Sequence, residues 1–234
     1  SSYGTPKTAG KAPVSVPFNS CDVRLTRALQ QAATIRGDRN PVDPFQGNKD
    51  VQGSLVVPVD FSVLGYLMKA AIGSPVTTGP VDVSGTDVYT HTFKIDAVNS
   101  LPSFILERGF TDLAQPIHQL YSGCKVNTLE LTVGGDGELV ATLGIMGADE
   151  ASGTTSYADG ETIENLFTER FQQFDASAEE GGAAVNLLRE FKLSLANNLD
   201  GGSYVIGGGG ARRALPEGIA GVSGSISALF EDDA

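Results

Sequence analysis

Hydrophobic and polar positions alternate with a period of two along much of this chain, and in one stretch the period lengthens to that of a helix. Val51, Gly53, Leu55, Val57 and Val59 share one side of a run whose other side carries Gln52, Ser54 and Pro58. That is the pattern of a strand with one buried face. Asp60 follows, then Phe61, Leu64, Met68, Ala71 and Ile72 at helical spacing, then Gly73. An acidic N-cap, an apolar stripe and a glycine stop predict one amphipathic helix over 61–72, with that stripe as core. Residues 25–36 read as an earlier strand, followed by a turn-rich loop over 37–48. Residues 1–24 begin rich in Ser, Pro, Gly and Thr. They read as an extended arm that needs a partner to become ordered.

Further strands are predicted over 88–95, with Tyr89, Phe93 and Ile95 on one face, and over 103–110. Residues 117–133 and 138–147 form the clearest hairpin. Leu129, Leu131 and Val133 oppose Thr128, Glu130 and Thr132, and the return strand puts Leu139, Ala141, Leu143 and Ile145 on one face. The turn Gly134-Gly135-Asp136-Gly137 is suited to a hairpin. The pattern breaks over 148–182, read as an insertion: a surface loop, then a short helix over 161–174 through Ile163, Leu166, Phe167 and Phe171. A second hairpin follows. Its first strand carries Phe191, Leu193 and Leu195, and its second Val222, Gly224, Ile226, Ala228 and Phe230, across a long glycine-rich loop over 200–218. The domain is thus expected to run over 25–234, after the arm.

The chain also repeats itself. Val51-Gln52-Gly53-Ser54-Leu55 resembles Val222-Ser223-Gly224-Ser225-Ile226. The polar faces of the hairpin strands carry mainly Ser and Thr where Lys and Glu usually stand. A face of short hydroxyls is smooth and weakly charged, which suits the wall of a channel. Thr128, Glu130, Thr132, Thr142, Ser194, Ser223, Ser225 and Ser227 are the residues expected to line it.

Composition narrows the function. The chain has 234 residues, 41% of them hydrophobic, with 29 Gly, no Trp and a formal net charge of −12. At this length roughly 70% of the unfolded surface is buried, enough for a core without metals or disulfides. An acidic surface does not hold nucleic acid, because phosphate binding needs clustered Lys and Arg. Acidity keeps a protein soluble, and it also suits a wall that sits beside DNA without gripping it. The only cysteines, Cys21 and Cys124, are far apart and form no CxxC, so neither a disulfide scaffold nor a metal knuckle is expected. No apolar run approaches the ~18 residues of a membrane-spanning helix.

Candidate chemistry is sparse. His91 and His118 are the only histidines, and His91 reads as structural beside Tyr89 and Phe93. No Ser stands in a nucleophile elbow. Asp136, Gly137 and Glu138 lack the remaining positions of a calcium loop and read as a turn. Gly207-Gly208-Gly209-Gly210-Ala211-Arg212-Arg213 lacks the Lys-Ser/Thr ending of a phosphate cradle. It reads as a mobile loop with a basic tip, able to meet Glu179 and Glu180 of a neighbouring subunit. Glu107 and Arg108, between apolar flanks, read either as an edge-strand ion pair or as a subunit bridge. No enzyme and no cofactor are expected.

Residues 35–41 leading into 51–60, then 104–110, 121–147 and 193–201 resemble, in that order, the major tail tube proteins of long-tailed, siphovirus-type bacteriophages. The likeness covers roughly 25–230. It implies a mainly β fold, a tail-tube-type β-sandwich or barrel of antiparallel strands with one flanking α-helix and long inter-subunit loops. It further implies a structural virion protein whose hexameric rings stack into a hollow tail tube that delivers DNA. The implied partners are other copies of the chain and the tape measure, tail terminator and tail tip proteins. The resemblance likewise implies that DNA passes without specific binding, that no membrane is involved, and that assembly takes place in the bacterial host cytoplasm. The loops 37–50 and 200–218 and the N-terminal arm are then expected to bridge rings. The inter-subunit candidates are Arg39, Phe45, Glu107, Arg108, Tyr204, Arg212 and Arg213. The alternatives are a minor tail or baseplate protein, the tube of a contractile injection system, or a monomeric β-sandwich binding module. The last predicts a surface cluster of aromatics, in a chain with no Trp and six Tyr.

Overall fold

The computed structural model describes residues 3–34, 37, 40, 42–96, 100–135, 137–166, 170–184 and 187–229, with backbone alone at 175 and 180. The chain is mainly β. It opens with β1 (Val14–Ser15), β2 (Ser20–Cys21), β3 (Arg24–Gln30) and the long β4 (Phe45–Pro58), followed by helix α1 (Phe61–Ile72). Next come β5 (Val76–Val83), β6 (Thr86–Thr92), β7 (Phe104–Phe110), β8 (Ile117–Gly134), β9 (Val140–Gly147) and β10 (Asp149–Gly153). The short β11 (Glu164–Asn165), a 3-10 turn Gln173–Asp175, β12 (Glu179–Glu180) and β13 (Ala183–Ala184) lead to β14 (Leu188–Ala196) and β15 (Gly221–Ala228).

Strand β8 belongs to two layers. Its second half lies in a sheet of order β15-β14-β8-β9-β4, antiparallel throughout, with β2 and β3 on the outer edge of β4. Its first half pairs with β7 and with β10. The chain turns this corner at Gly123, whose φ is +62° and where a Cβ would stand 3.0 Å from atoms of Tyr3, Gly4 and Ala148. Only glycine meets both conditions. The core joins both layers and the helix: Val51, Val57, Val59, Val63, Leu67, Ala71, Tyr121, Cys124, Val126, Leu129, Leu143, Ile145 and Leu195 are all buried in one cluster. This is an antiparallel β-sandwich with a flanking helix.

Helix α1 ends where its caps say it should. Val63 N donates to Asp60 Oδ1 at 2.7 Å, and Gly73 N donates to Lys69 O. Its buried stripe is rotated from the expected one. Val63, Leu67 and Ala71 are buried, while Leu64, Met68 and Ile72 pack partly against the core and Phe61 is 81% exposed. Burying Val63 and Leu67 contributes about 2 kcal/mol each.

Several expected elements differ. The first strand ends at Gln30, and Ile35, Arg36 and Arg39 lie outside the described residues. Of the face expected over 88–95, Tyr89 and Ile95 are exposed and Phe93 is half-buried: the strand ends at Thr92, among the described residues β6 pairs with the unforeseen β5 alone, and every position of both strands is exposed. No α-helix forms among the described residues of 161–174, only the start of the 3-10 turn at Gln173. Leu166 is used in extended form, with its N donating to Ser15 O at 3.0 Å, and Phe171 bonds Val59 and Leu139 through its backbone. Bonding to the arm and to the end of β4 outweighs weak local helix preference. The segment from β10 onward is thereby built into the domain: β10 extends the first-half layer of β8. The arm is also ordered on its own chain. Tyr3 Oη donates to Gly123 O at 2.6 Å, Tyr157 Oη donates to Lys7 O at 2.6 Å, and β1 runs parallel to β11.

Candidate assembly surfaces

Cross-strand pairs share a face of a sheet, so register fixes which side chains stand together. Ser223, Ser194, Glu130, Thr142 and Val56 form one row across β15, β14, β8, β9 and β4. Ser225, Lys192, Thr132 and Val140 form the next. Thr128 lies in a row with Ala196 and Gly144, and Ser227 is opposite Glu190. The eight candidate channel residues therefore lie on one face of the sheet. The alternate residues Leu129, Leu143 and Leu195 point to the core and α1. On the polar face Lys192 Nζ bonds Glu130 Oε1 at 2.7 Å, diagonally between β14 and β8. Both are open to solvent, so the pair adds little stability, but it cancels two charges on a face that otherwise carries mainly hydroxyls and small apolar groups, with Glu190 at its end.

The sheet's two edges are unlike. On the β4 side, β2 and β3 cover the strand, and the chain kinks so that Asp22 binds Ser54: Asp22 N donates to Ser54 O at 3.0 Å, and Asp22 Oδ1 accepts from Ser54 N. That backbone donor, chiefly, holds the Asp22 carboxyl below its ordinary range. On the other side, among the described residues, β15 pairs with β14 alone. The core-side face of this edge is uncovered, with Val222 64% and Ile226 63% exposed beside partly exposed Phe191 and Leu193.

The remaining candidates separate into intramolecular braces and free groups. Arg212 is not a loop tip. It is 6% exposed, and its guanidinium donates to Gly201 O, Val51 O, Gly147 O and Asp50 Oδ1 while lying over the Tyr204 ring. Tyr204 Oη in turn donates to Lys49 O at 2.9 Å. The glycine-rich loop is thus strapped to β4 and β9, where β-strand carbonyls give a planar cation several acceptors at once. Arg213 and Phe45 are exposed; Arg39 lies outside the described residues. Glu179 is exposed in β12, while the side chain of Glu180 lies outside them.

Glu107 and Arg108 do not pair with each other, because adjacent strand residues point to opposite faces. Glu107 Oε1 accepts from Ser156 Oγ at 2.6 Å and lies 3.0 Å from His118 Nδ1. Arg108 Nη1 donates to Cys21 O, and its Nε and Nη2 donate to Gln119 Oε1. His91 is not in the core: its Nδ1 lies 2.8 Å from Thr77 Oγ1 on the exposed hairpin. At the Gly134–Gly137 turn Asp136 lies outside the described residues, and Glu138 pairs with Arg170 at 3.1 Å. Among the described residues no group of His, Cys, Asp and Glu is placed to hold a metal, and no helix is long and apolar enough to cross a membrane. Both cysteines are free thiols.

Sequence reading missed strand β5, although Val76, Thr78, Val81 and Val83 ahead of Ser84-Gly85 carry the signal of a hairpin arm. It also missed Asn197, buried with its Nδ2 donating to Ala71 O and Val126 O at 2.9 Å. A lone asparagine gives no local hint of that role.

Compared with known proteins, the chain matches a protein-family model described as phage tail tube protein over residues 1–234. No curated protein matches it.

Proposed function

This chain belongs to the phage tail tube protein family, and we propose that its copies join edge to edge into hexameric rings that stack into a hollow tube, through which the phage genome is delivered. The observation that carries this reading is the asymmetry of the main sheet. One edge is formed by β2 and β3, which pair with β4, and at the other, among the described residues, β15 pairs with β14 alone and has an uncovered apolar face. A free, apolar-backed edge is an aggregation hazard in a monomer. Closure with a like neighbour removes it, as in a barrel.

In such a ring the hydroxyl face of β15, β14, β8 and β9 becomes the channel wall. Thr128, Glu130, Thr132, Thr142, Ser194, Ser223, Ser225 and Ser227 then face the DNA. With Glu130 neutralised by Lys192, that wall neither binds phosphate nor strongly repels it. Phe45 and Arg213 remain free for neighbouring subunits. The open ends of the stack are where tail terminator and tail tip proteins would bind, with the tape measure inside during assembly in the host cytoplasm. The role is structural and the virion tail is its place.

Electron microscopy of the purified, concentrated chain tests the reading. Hollow tubes or rings of uniform diameter are expected. A protein that stays monomeric at high concentration overturns it.

A further inference from the structure

The β5–β6 hairpin is an amphipathic surface with no strand partner among the other described residues of its own chain. β5 and β6 pair only with each other among the described residues. A bulge between Thr78 and Val81 adds one residue to β5 and keeps the facing in step. The pairs Val76–Thr92, Thr78–Thr90, Val81–Val88 and Val83–Thr86 therefore share one face. That face is all valine and threonine, and all of it is exposed; Val76 and Val81 are each 62% open. The opposite face carries Asp82, Asp87, Tyr89 and His91. A lone two-stranded hairpin is marginal in water, and a β-branched face of this length gains by being covered.

The chain offers a second uncovered apolar surface at its other end. α1 runs the length of the sheet. Its start lies by Val59, Leu139 and Phe171, at the end where β4 finishes and β9 begins. Its last turn meets Asn197, at the end where β14 finishes, and the hairpin springs from there. At the start of α1, Phe61 is 81% exposed and its ring meets Phe171 edge-on at 6.3 Å; three residues beyond Phe171, after Gln173 N bonds Gly137 O, Phe174 is 72% exposed. Hairpin and phenylalanine cluster thus sit at opposite ends of one subunit.

We infer that the Val/Thr face of the β5–β6 hairpin docks on the Phe61–Phe171–Phe174 cluster of a second copy placed end to end with the first. This rests on the tube reading above and deepens it by naming an axial contact. Contact between opposite ends is heterologous and repeats without closing, as a growing stack requires. Hairpin against hairpin would be isologous and stop at a dimer. β-branched faces and aromatic rings pack well on one another.

The test uses the full chain under conditions where the wild type forms tubes. V81D/V88D and F61S/F174S change exposed side chains, so folding, checked by circular dichroism and thermal melting, should persist. Each is expected to yield rings without tubes in electron microscopy. Tubes of wild-type length from both variants overturn the inference and leave the tube reading standing. A wild type that forms neither rings nor tubes overturns the tube reading and this contact with it. Val83→Cys combined with Phe174→Cys, in a Cys21→Ser background, supplies a second measurement. Oxidation should give a ladder of linked chains only when both new thiols are present. Equal linking by either alone overturns the inference.

Discussion

Val23 crosses directly over Gly53: a Cβ on Gly53 would stand 2.5 Å from Val23 Cα and 2.6 Å from its nitrogen. The kink between β2 and β3 uses that space to bury Val23 completely. A methyl group there collides with backbone, which cannot swing aside. Gly53→Ala should destabilise the chain by about 3 kcal/mol. Gly224 occupies the matching place in the echoed pattern, on exposed β15, with Lys192 O 3.1 Å from a Cβ. Gly224→Ala should cost less than about 1 kcal/mol. Urea denaturation of the two variants makes the comparison, and equal losses would refute the crossing as the cause.

Arg212 and Arg213, adjacent in sequence, should behave oppositely. Arg212→Met leaves the Val51, Gly147 and Gly201 carbonyls without their buried donor and should cost about 3 kcal/mol. Lysine at 212 should recover little of it, lacking the planar fork. Arg213→Glu should move stability by no more than about 0.5 kcal/mol. Chemical denaturation checks all three.

Burial pushes the Cys124 thiol up from 9.0 to about 12. Its folded pKa is raised, so the thiol imposes no loss while both states stay protonated. As pH rises through 9 and towards 12 the unfolded thiol ionises, the native one does not, and stability falls. Cys124→Ala should flatten that alkaline decline. With a thiol reagent at neutral pH, half-buried Cys21 should react in the native protein and Cys124 only on unfolding.

Glu217 ties the segment just ahead of β7 to the main sheet, accepting from Lys125 Nζ at 2.6 Å and from Leu101 N at 3.1 Å. Burial works to raise its pKa, but these donors outweigh it and hold the carboxyl below its usual 4.5. A depressed folded pKa gives stability that is present above 4.5 and is lost as pH falls through the folded value. Protection of the Leu101 amide from hydrogen exchange, corrected for intrinsic rate, should drop below pH 4.5. Glu217→Gln should remove that dependence.

The open edge gives an assembly prediction. Val222→Lys with Ile226→Lys places charge on the apolar side of β15, at exposed positions outside the core cluster. The isolated subunit should keep its stability within about 1 kcal/mol. Ring formation, read by sedimentation velocity, should be lost. Unchanged assembly would exclude this edge from the interface.

Local chemistry made much of this fold legible. Asp60 and Gly73 bracket α1 as capping rules require, because a cap acts within one turn. Alternation alone placed Thr128, Glu130, Ser194 and Ser223 on one face, since a strand's period of two needs no knowledge of its neighbours. Where two local readings competed, as over 161–174, the deciding bonds came from Ser15, Val59 and Leu139, far away in the chain.

The sequence by itself determined the principal strands, α1 and the parity of their faces, because these follow from residues within a few positions of one another. Tertiary structure decided which apolar residues are covered. The same valine-rich pattern is buried in β4 beneath Val23 and left open in β15 and in the β5–β6 hairpin. Burial depends on what crosses over a strand, and that is set by contacts no local pattern encodes.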